Sequence, residues 1–280
     1  MRYFLSLLVA LLPIFSWAQL GHYFLSNYTP GDEKVDRVAF DIAQGDDGYL
    51  YFATRSGILT FDGRNWELIK GNTAIYSIEI ASNNEIYWGG ASGFGKLYRR
   101  DDGTHEMVFL SGKSRPDIYQ TLAIKDQLYF LSDEEVFTVD TRDSVQVIAS
   151  TSQSGEFTYL FELSGKPFVS TAKAQLFELS GHELRPADFS GADGHVLTFS
   201  TSLQGEYIVG TTDNQLLLLK GQRFTRIDLV EDSYVNASVV ISGAWVNSNL
   251  VALATLRGGV IFLNPRSGKI EEIVNYHTGL

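Results

Sequence analysis

The chain has 280 residues, 33 of them acidic and 22 basic, for a formal net charge of −11. That balance argues against nucleic acid or an anionic membrane surface as a partner of this segment. With no cysteine, a disulfide framework, a thiolate metal site and a lipid-modified N-terminal cysteine are all excluded, so the fold has to rest on core burial.

At the N-terminus, Arg2 precedes an apolar stretch that ends near Phe15, and Ser16-Trp17-Ala18 offers small residues at a cleavage site. Residues 1–18 therefore read as a signal peptide and 19–280 as one exported domain. The apolar stretch is shorter than the ~20 residues a bilayer crossing requires. A second apolar region, 239–263, is interrupted by Asn247, Ser248, Asn249 and Arg257, which makes it strands and a turn.

Beyond the leader one phrase recurs about six times. Its clearest copies are Leu50-Tyr51-Phe52-Ala53-Thr54-Arg55-Ser56-Gly57-Ile58 and Ile86-Tyr87-Trp88-Gly89-Gly90-Ala91-Ser92-Gly93-Phe94. Each unit predicts four short strands. First strands fall at 38–43, 75–80, 118–124, 157–163, 196–200 and 237–242. Second strands follow at 50–54, 86–90, 128–132, 167–171, 207–211 and 251–255. Third strands lie at 58–61, 96–99, 136–139, 176–179, 216–219 and 260–263, and fourth strands close the units, as at 66–69 and 270–274. Turn residues separate them, among them Asp46-Asp47-Gly48, Asp62-Gly63 and Asn247-Ser248-Asn249. A repeat of roughly 40 residues holding four strands is the pattern of a β-propeller blade. The expectation is an all-β propeller of four-stranded blades, six repeats visible, belonging to a propeller of seven or more, with no helix after the leader. Residues 22–28 could supply a closing strand. The tail from Asn275 echoes Asn27-Tyr28-Thr29 before the first unit, so the chain reads as the N-terminal part of a longer protein, with a closed six-bladed molecule as the alternative.

Chemistry-bearing motifs are sparse. The five histidines lack metal-type spacing, no Gly-x-Ser-x-Gly elbow occurs, and the two Asp-Asp-Gly sequences lack the alternating oxygen ligands of a calcium loop. The glycine-rich run 89–95 lies between strands and opens no helix, so it reads as a bend and not a phosphate cradle. Catalytic residues, metal ligands and cofactors are therefore expected to be none. Trp66, Trp88 and Trp245 fall in or beside strands and read as core. In a propeller the loops after second strands and after fourth strands share one face, where ligands reach several blades at once. Arg55, Phe94, Asp133, Tyr234 and Arg257 are the candidate ligand-binding residues on that face. Arginine suits a carboxylate or sulfate, and an aromatic ring suits a sugar.

Residues 41–68 resemble the two-component regulator propeller repeat of periplasmic sensor regions in Bacteroidetes-type bacteria. The resemblance rests on Ile42-Ala43-Gln44, Asp46-Asp47-Gly48, Leu50-Tyr51-Phe52-Ala53-Thr54, Ser56-Gly57-Ile58, Phe61-Asp62-Gly63 and Trp66. The second unit is recognisable and the later four are degenerate. The resemblance implies a non-catalytic periplasmic sensor, tethered to the inner membrane and joined to downstream signalling domains of the same polypeptide, with a small-molecule or oligosaccharide ligand. Alternatives are a free periplasmic or surface scaffold that binds protein or glycan and, further off, a propeller lyase or quinoprotein enzyme. An unclosed propeller would expose strand edges, so a homodimer is a possible state.

Overall fold

The computed structural model describes residues 26, 28–31, 36, 38–100, 104–112, 116–140, 142–151, 155–192 and 194–278. The expected signal peptide lies outside them. Among the described residues no helix is long and apolar enough to cross a membrane.

The described residues form six antiparallel four-stranded sheets, each built from four consecutive strands. These are the blades of a β-propeller. Their first strands are Ala39–Gln44, Ile75–Ile80, Gln120–Ile124, Phe157–Leu163, Leu197–Leu203 and Val240–Asn247. Second strands at Leu50–Thr54, Ile86–Gly90 and Lys166–Thr171 fall where the repeated phrase places them.

Consecutive blades are glued by apolar side chains, as alternating residues on a sheet require when both faces are covered. Five buried clusters are found among the described residues, one for each pair of blades adjacent in the chain. Between blades one and two, for example, Ala53, Ile58, Ile75 and Trp88 are all fully buried. Trp88 is therefore core, as expected, while Trp66 is half-buried and stacks on Phe61 with centroids 4.4 Å apart.

Three expectations change. A helix, Asp232–Ser238, joins blades five and six and takes in the start of the strand expected at 237–242. It is short enough that no sustained periodicity announces it. Blade six takes all four of its described strands from the C-terminal part of the chain, where a closing strand from residues 22–28 was also open. Of that segment, Ser26 and Tyr28 are not in strands and the rest lies outside the described residues. The glycine-rich run is mostly strand: only Ala91 and Ser92 separate Ile86–Gly90 from Gly93–Arg99. Gly93 takes φ +114°, which a side chain would strain.

Candidate functional site

Each first strand begins at the face that carries the loops after second strands. In five blades it begins with a bulge: Phe40, Tyr76, Thr158, Thr198 and Ile241 are each skipped in the pairing with the second strand. In blade three Tyr119 holds the same place immediately before its strand, donating its N–H to the Leu131 carbonyl at 2.9 Å. A bulge re-aims a side chain. Here it presents one residue per blade at the mouth of the central channel. Half of the set is aromatic and lies on three successive blades. The Phe40 and Tyr76 rings meet edge to face with centroids 5.5 Å apart, and Tyr76 stacks on Tyr119 at 6.0 Å with planes 10° apart. Phe40 and Tyr119 are 42% and 53% exposed, so this arc is open to a ligand.

Charged groups surround the arc. The Arg55 guanidinium carbon lies 6.0 Å from the Phe40 ring centre, and its Nε lies 3.9 Å from Asp36. Partial desolvation, with Asp117 and Asp133 nearby, raises the Tyr119 hydroxyl above its usual range. The arc thus offers ring faces, one cation and three carboxylates around them.

Below the mouth, a cavity of about 530 Å³ opens against the first strands of blades two to five, with Glu79, Leu122, Tyr159, Phe161 and Ser200 among its lining. Desolvation, with Asp41 adding repulsion, pushes the Glu79 carboxyl up to about 7, even though the Ile80 and Ala123 N–H groups favour its charge.

Of the five residues expected on the ligand face, Arg55, Asp133 and Arg257 lie exposed in loops after second strands. Arg55 sits on the arc, Asp133 is beside Tyr119, and Arg257 stands across the ring on blade six. Tyr234 belongs to the helix. It is half-buried, its hydroxyl donates to the Gly258 carbonyl at 2.9 Å and accepts from Asn275 Nδ2 at 3.3 Å, and so it anchors that helix. Phe94 is a correction. It is fully buried in the third strand of blade two and stacks on Phe130 at 4.2 Å. With the turn limited to two residues, Phe94 falls inside the strand and points into the seam with blade three.

Sequence reasoning missed Phe40, Tyr76 and Tyr119, because a bulge is invisible in an alternating pattern. It also missed a pair across one loop cluster. His195 Nδ1 lies 3.1 Å from Asp213 Oδ1, which also accepts from Thr211 Oγ1 at 2.6 Å. Burial works against the Asp213 charge, but the Thr211 and His195 hydrogen bonds hold its carboxyl below the ordinary range.

By sequence, no family model and no curated protein matches the chain. By fold, many solved propellers do. Virginiamycin B lyase from Staphylococcus aureus superposes with a TM-score of 0.65 over 85% of this chain and 84% of the lyase, at 10% identity. The WD40 propeller domain of Doa1 gives 0.65 over 85% and 82%, at 12% identity. The extracellular domain of BT3049, a hybrid two-component system of B. thetaiotaomicron, gives 0.64 over 88% of this chain but only 36% of its own length, at 16% identity. Identities this low establish the shared propeller fold and leave activity open.

Proposed function

We propose that this chain is a non-catalytic, exported sensor propeller of a two-component-type regulator, whose ligand docks on the channel-mouth arc of Phe40, Tyr76 and Tyr119 with Arg55 and Asp133 at its edge. The observation that carries the reading is the arc itself: three aromatic rings at the same place on successive blades, Phe40 and Tyr119 exposed and Tyr76 half-buried between them. Ring faces stack on the apolar face of a pyranose, and the flanking Arg55 and carboxylates match its hydroxyls or an acidic substituent. An oligosaccharide fits this chemistry and agrees with the resemblance in the first repeat. The likeness to the BT3049 domain supports a sensor role to the extent of the fold. A rigid blade scaffold with its ligand across three blades converts occupancy into a shift between blade arrangements, set by the ligand's differential affinity, which tethered signalling domains would read.

Isothermal titration of the protein with neutral and uronate-containing plant and algal oligosaccharides tests this. At least one class should bind, and Tyr119→Ala should weaken it about five- to tenfold, as loss of a stacking partner worth ~1–1.5 kcal/mol implies. No binding by any class, or binding that Tyr119→Ala leaves intact, would sink the reading.

One observation favours a second reading, an elimination or hydrolysis with His195 as base: a histidine oriented by a carboxylate is the arrangement general-base chemistry uses. Turnover of a lactone or uronate substrate that His195→Gln abolishes would support it; turnover unchanged in that variant, or none, would not.

A further inference from the structure

Four seams carry the same staple. In blades one to four the residue after the bulge, or after Tyr119 in blade three, reaches forward and accepts a backbone N–H from the first strand of the next blade. Asp41 Oδ2 accepts from Ile78 N at 2.9 Å, Ser77 Oγ from Thr121 N at 2.7 Å, Gln120 Oε1 from Leu160 N at 2.8 Å and the Tyr159 hydroxyl from Ser200 N at 2.8 Å. The staple satisfies an inner-edge N–H that no neighbouring strand pairs. Blade five has Phe199 at this position and blade six has Ser242, whose side chain is exposed. Between blades one and two, Asp41 and the buried Trp88 thus close the seam from the inside. Its lower, outer end is open.

There, on the face opposite the arc, a cavity of about 560 Å³ lies between the two blades, in the size range of small-molecule sites. Both walls carry rings. Tyr49 and Tyr51 of blade one have centroids 6.4 Å apart, and Tyr98 stands on blade two. Tyr49 and Tyr98 are 37% and 51% exposed, whereas Tyr51 is 4% exposed. The Tyr51 ring packs in the apolar seam, and its hydroxyl has no hydrogen-bond partner among the described residues. Burial pushes that hydroxyl up to about 12, with Asp47 and Tyr49 adding to the rise and Arg99 opposing it. All three neighbours line the same cavity, so a buried, protonated donor faces the space between them.

The charges in the cavity decide what fits. Lys96 is already neutralised by Asp143 at 2.6 Å, with Glu85 at 3.9 Å. Arg99, Asp47 and Glu67 make no ion pair among the described residues. A neutral ligand seated here would strip water from a guanidinium and two carboxylates and pair none of them. A simple anion meets the carboxylates, and a simple cation meets Arg99. A ligand carrying both charges answers both: a carboxylate takes a two-pronged bond from arginine, and an ammonium is held by carboxylates and by the faces of aromatic rings.

We infer that this cleft binds a free aromatic α-amino acid, its ring between Tyr98 and the Tyr49–Tyr51 pair, its carboxylate on Arg99 and the Tyr51 hydroxyl, and its ammonium on Asp47 and Glu67. The site shares no residue with the arc and stands whether or not the arc binds a sugar.

Isothermal titration of the 280-residue chain with L-phenylalanine, L-tryptophan and N-acetyl-L-tryptophan amide, which keeps the ring and lacks both charges, tests this. The free amino acids should bind and the blocked one should bind about tenfold more weakly or not at all. Arg99→Gln, at an exposed position, should weaken the free amino acids about tenfold. Tyr51→Phe keeps the buried ring and should weaken them several-fold, while Tyr119→Ala on the arc should leave them unchanged. The inference is overturned if neither free amino acid binds at millimolar concentration, if the blocked one binds equally well, or if Arg99→Gln has no effect. Loss of binding in Tyr119→Ala places the ligand on the arc and overturns it too. So does binding of a neutral oligosaccharide that Tyr98→Ala abolishes, which makes the cleft a sugar site.

Discussion

Ile78 and Ile42 occupy the same register position in adjacent blades, carry the same side chain and meet opposite fates. Ile78 is 4% exposed, in a seam closed by Asp41 and filled by Trp88, whereas Ile42 is 54% exposed, with no comparable packing against it among the described residues. The difference lies wholly in what stands behind each strand. A propeller blade has no core of its own: it borrows one from each flank, and its stability is shared out by neighbours.

The largest test of that contrast is a pair of truncations. Ile78→Ala should cost ~3 kcal/mol in urea denaturation, as the loss of a large buried aliphatic does, while Ile42→Ala should stay within ~0.5 kcal/mol, as at an exposed site. Similar costs at both positions would erase the distinction between the seams.

A second test uses pH. Glu79 reaches from blade two toward the Ala123 N–H of blade three, and its carboxyl is pushed from 4.5 up to about 7. Between those values the folded chain holds a proton that the unfolded chain has lost, so stability falls as pH rises through this window and levels off above it. At ~1.4 kcal/mol per unit, the total is on the order of 3 kcal/mol. Glu79→Gln should flatten the profile from pH 4.5 to 7. A wild-type profile that rises across this window would mean the seam stabilises the carboxylate.

The smallest effect sharpens the staple itself. Gln120→Leu strands both the N–H and the carbonyl of Leu160, which Gln120 bonds at 2.8 and 2.6 Å, and should cost ~2 kcal/mol. Ser242→Ala, with its side chain in solvent, should cost less than ~0.5 kcal/mol in the 280-residue chain. Equal losses would show that the staples owe nothing to closure of the seam.

The repeat spacing made the architecture legible: the six units, their second strands and the turn at Asp46-Asp47-Gly48 follow from alternation and turn chemistry alone. The site was far less so. Arg55 and Asp133 were found because loops after second strands share a face, but Phe94 was misplaced by two residues of turn length, and Tyr76 and Tyr119 read as ordinary strand aromatics. What places Tyr76 is a one-residue bulge set by pairing with the second strand, and what places Tyr119 is its position just ahead of its strand; neither carries a mark in local composition. The helix at Asp232–Ser238 escaped for a related reason. Its buried residues are only Val235 and Ser238, too few to show a period.

Near-identical repeats pose a sorting problem, because any blade could in principle settle against the wrong neighbour, and tandem arrays misfold in that way. The stapling residues bear on it through their lengths. Aspartate, serine, glutamine and tyrosine hold one position in four consecutive blades, and each spans a different distance to the N–H it serves. A blade placed out of order would bring an acceptor that is too short to reach or too long to fit, leaving an inner-edge amide dry and unpaired. The degeneracy of the later repeats is thus partly an address system: what the sequence loses in likeness between blades it gains in telling each blade where it belongs.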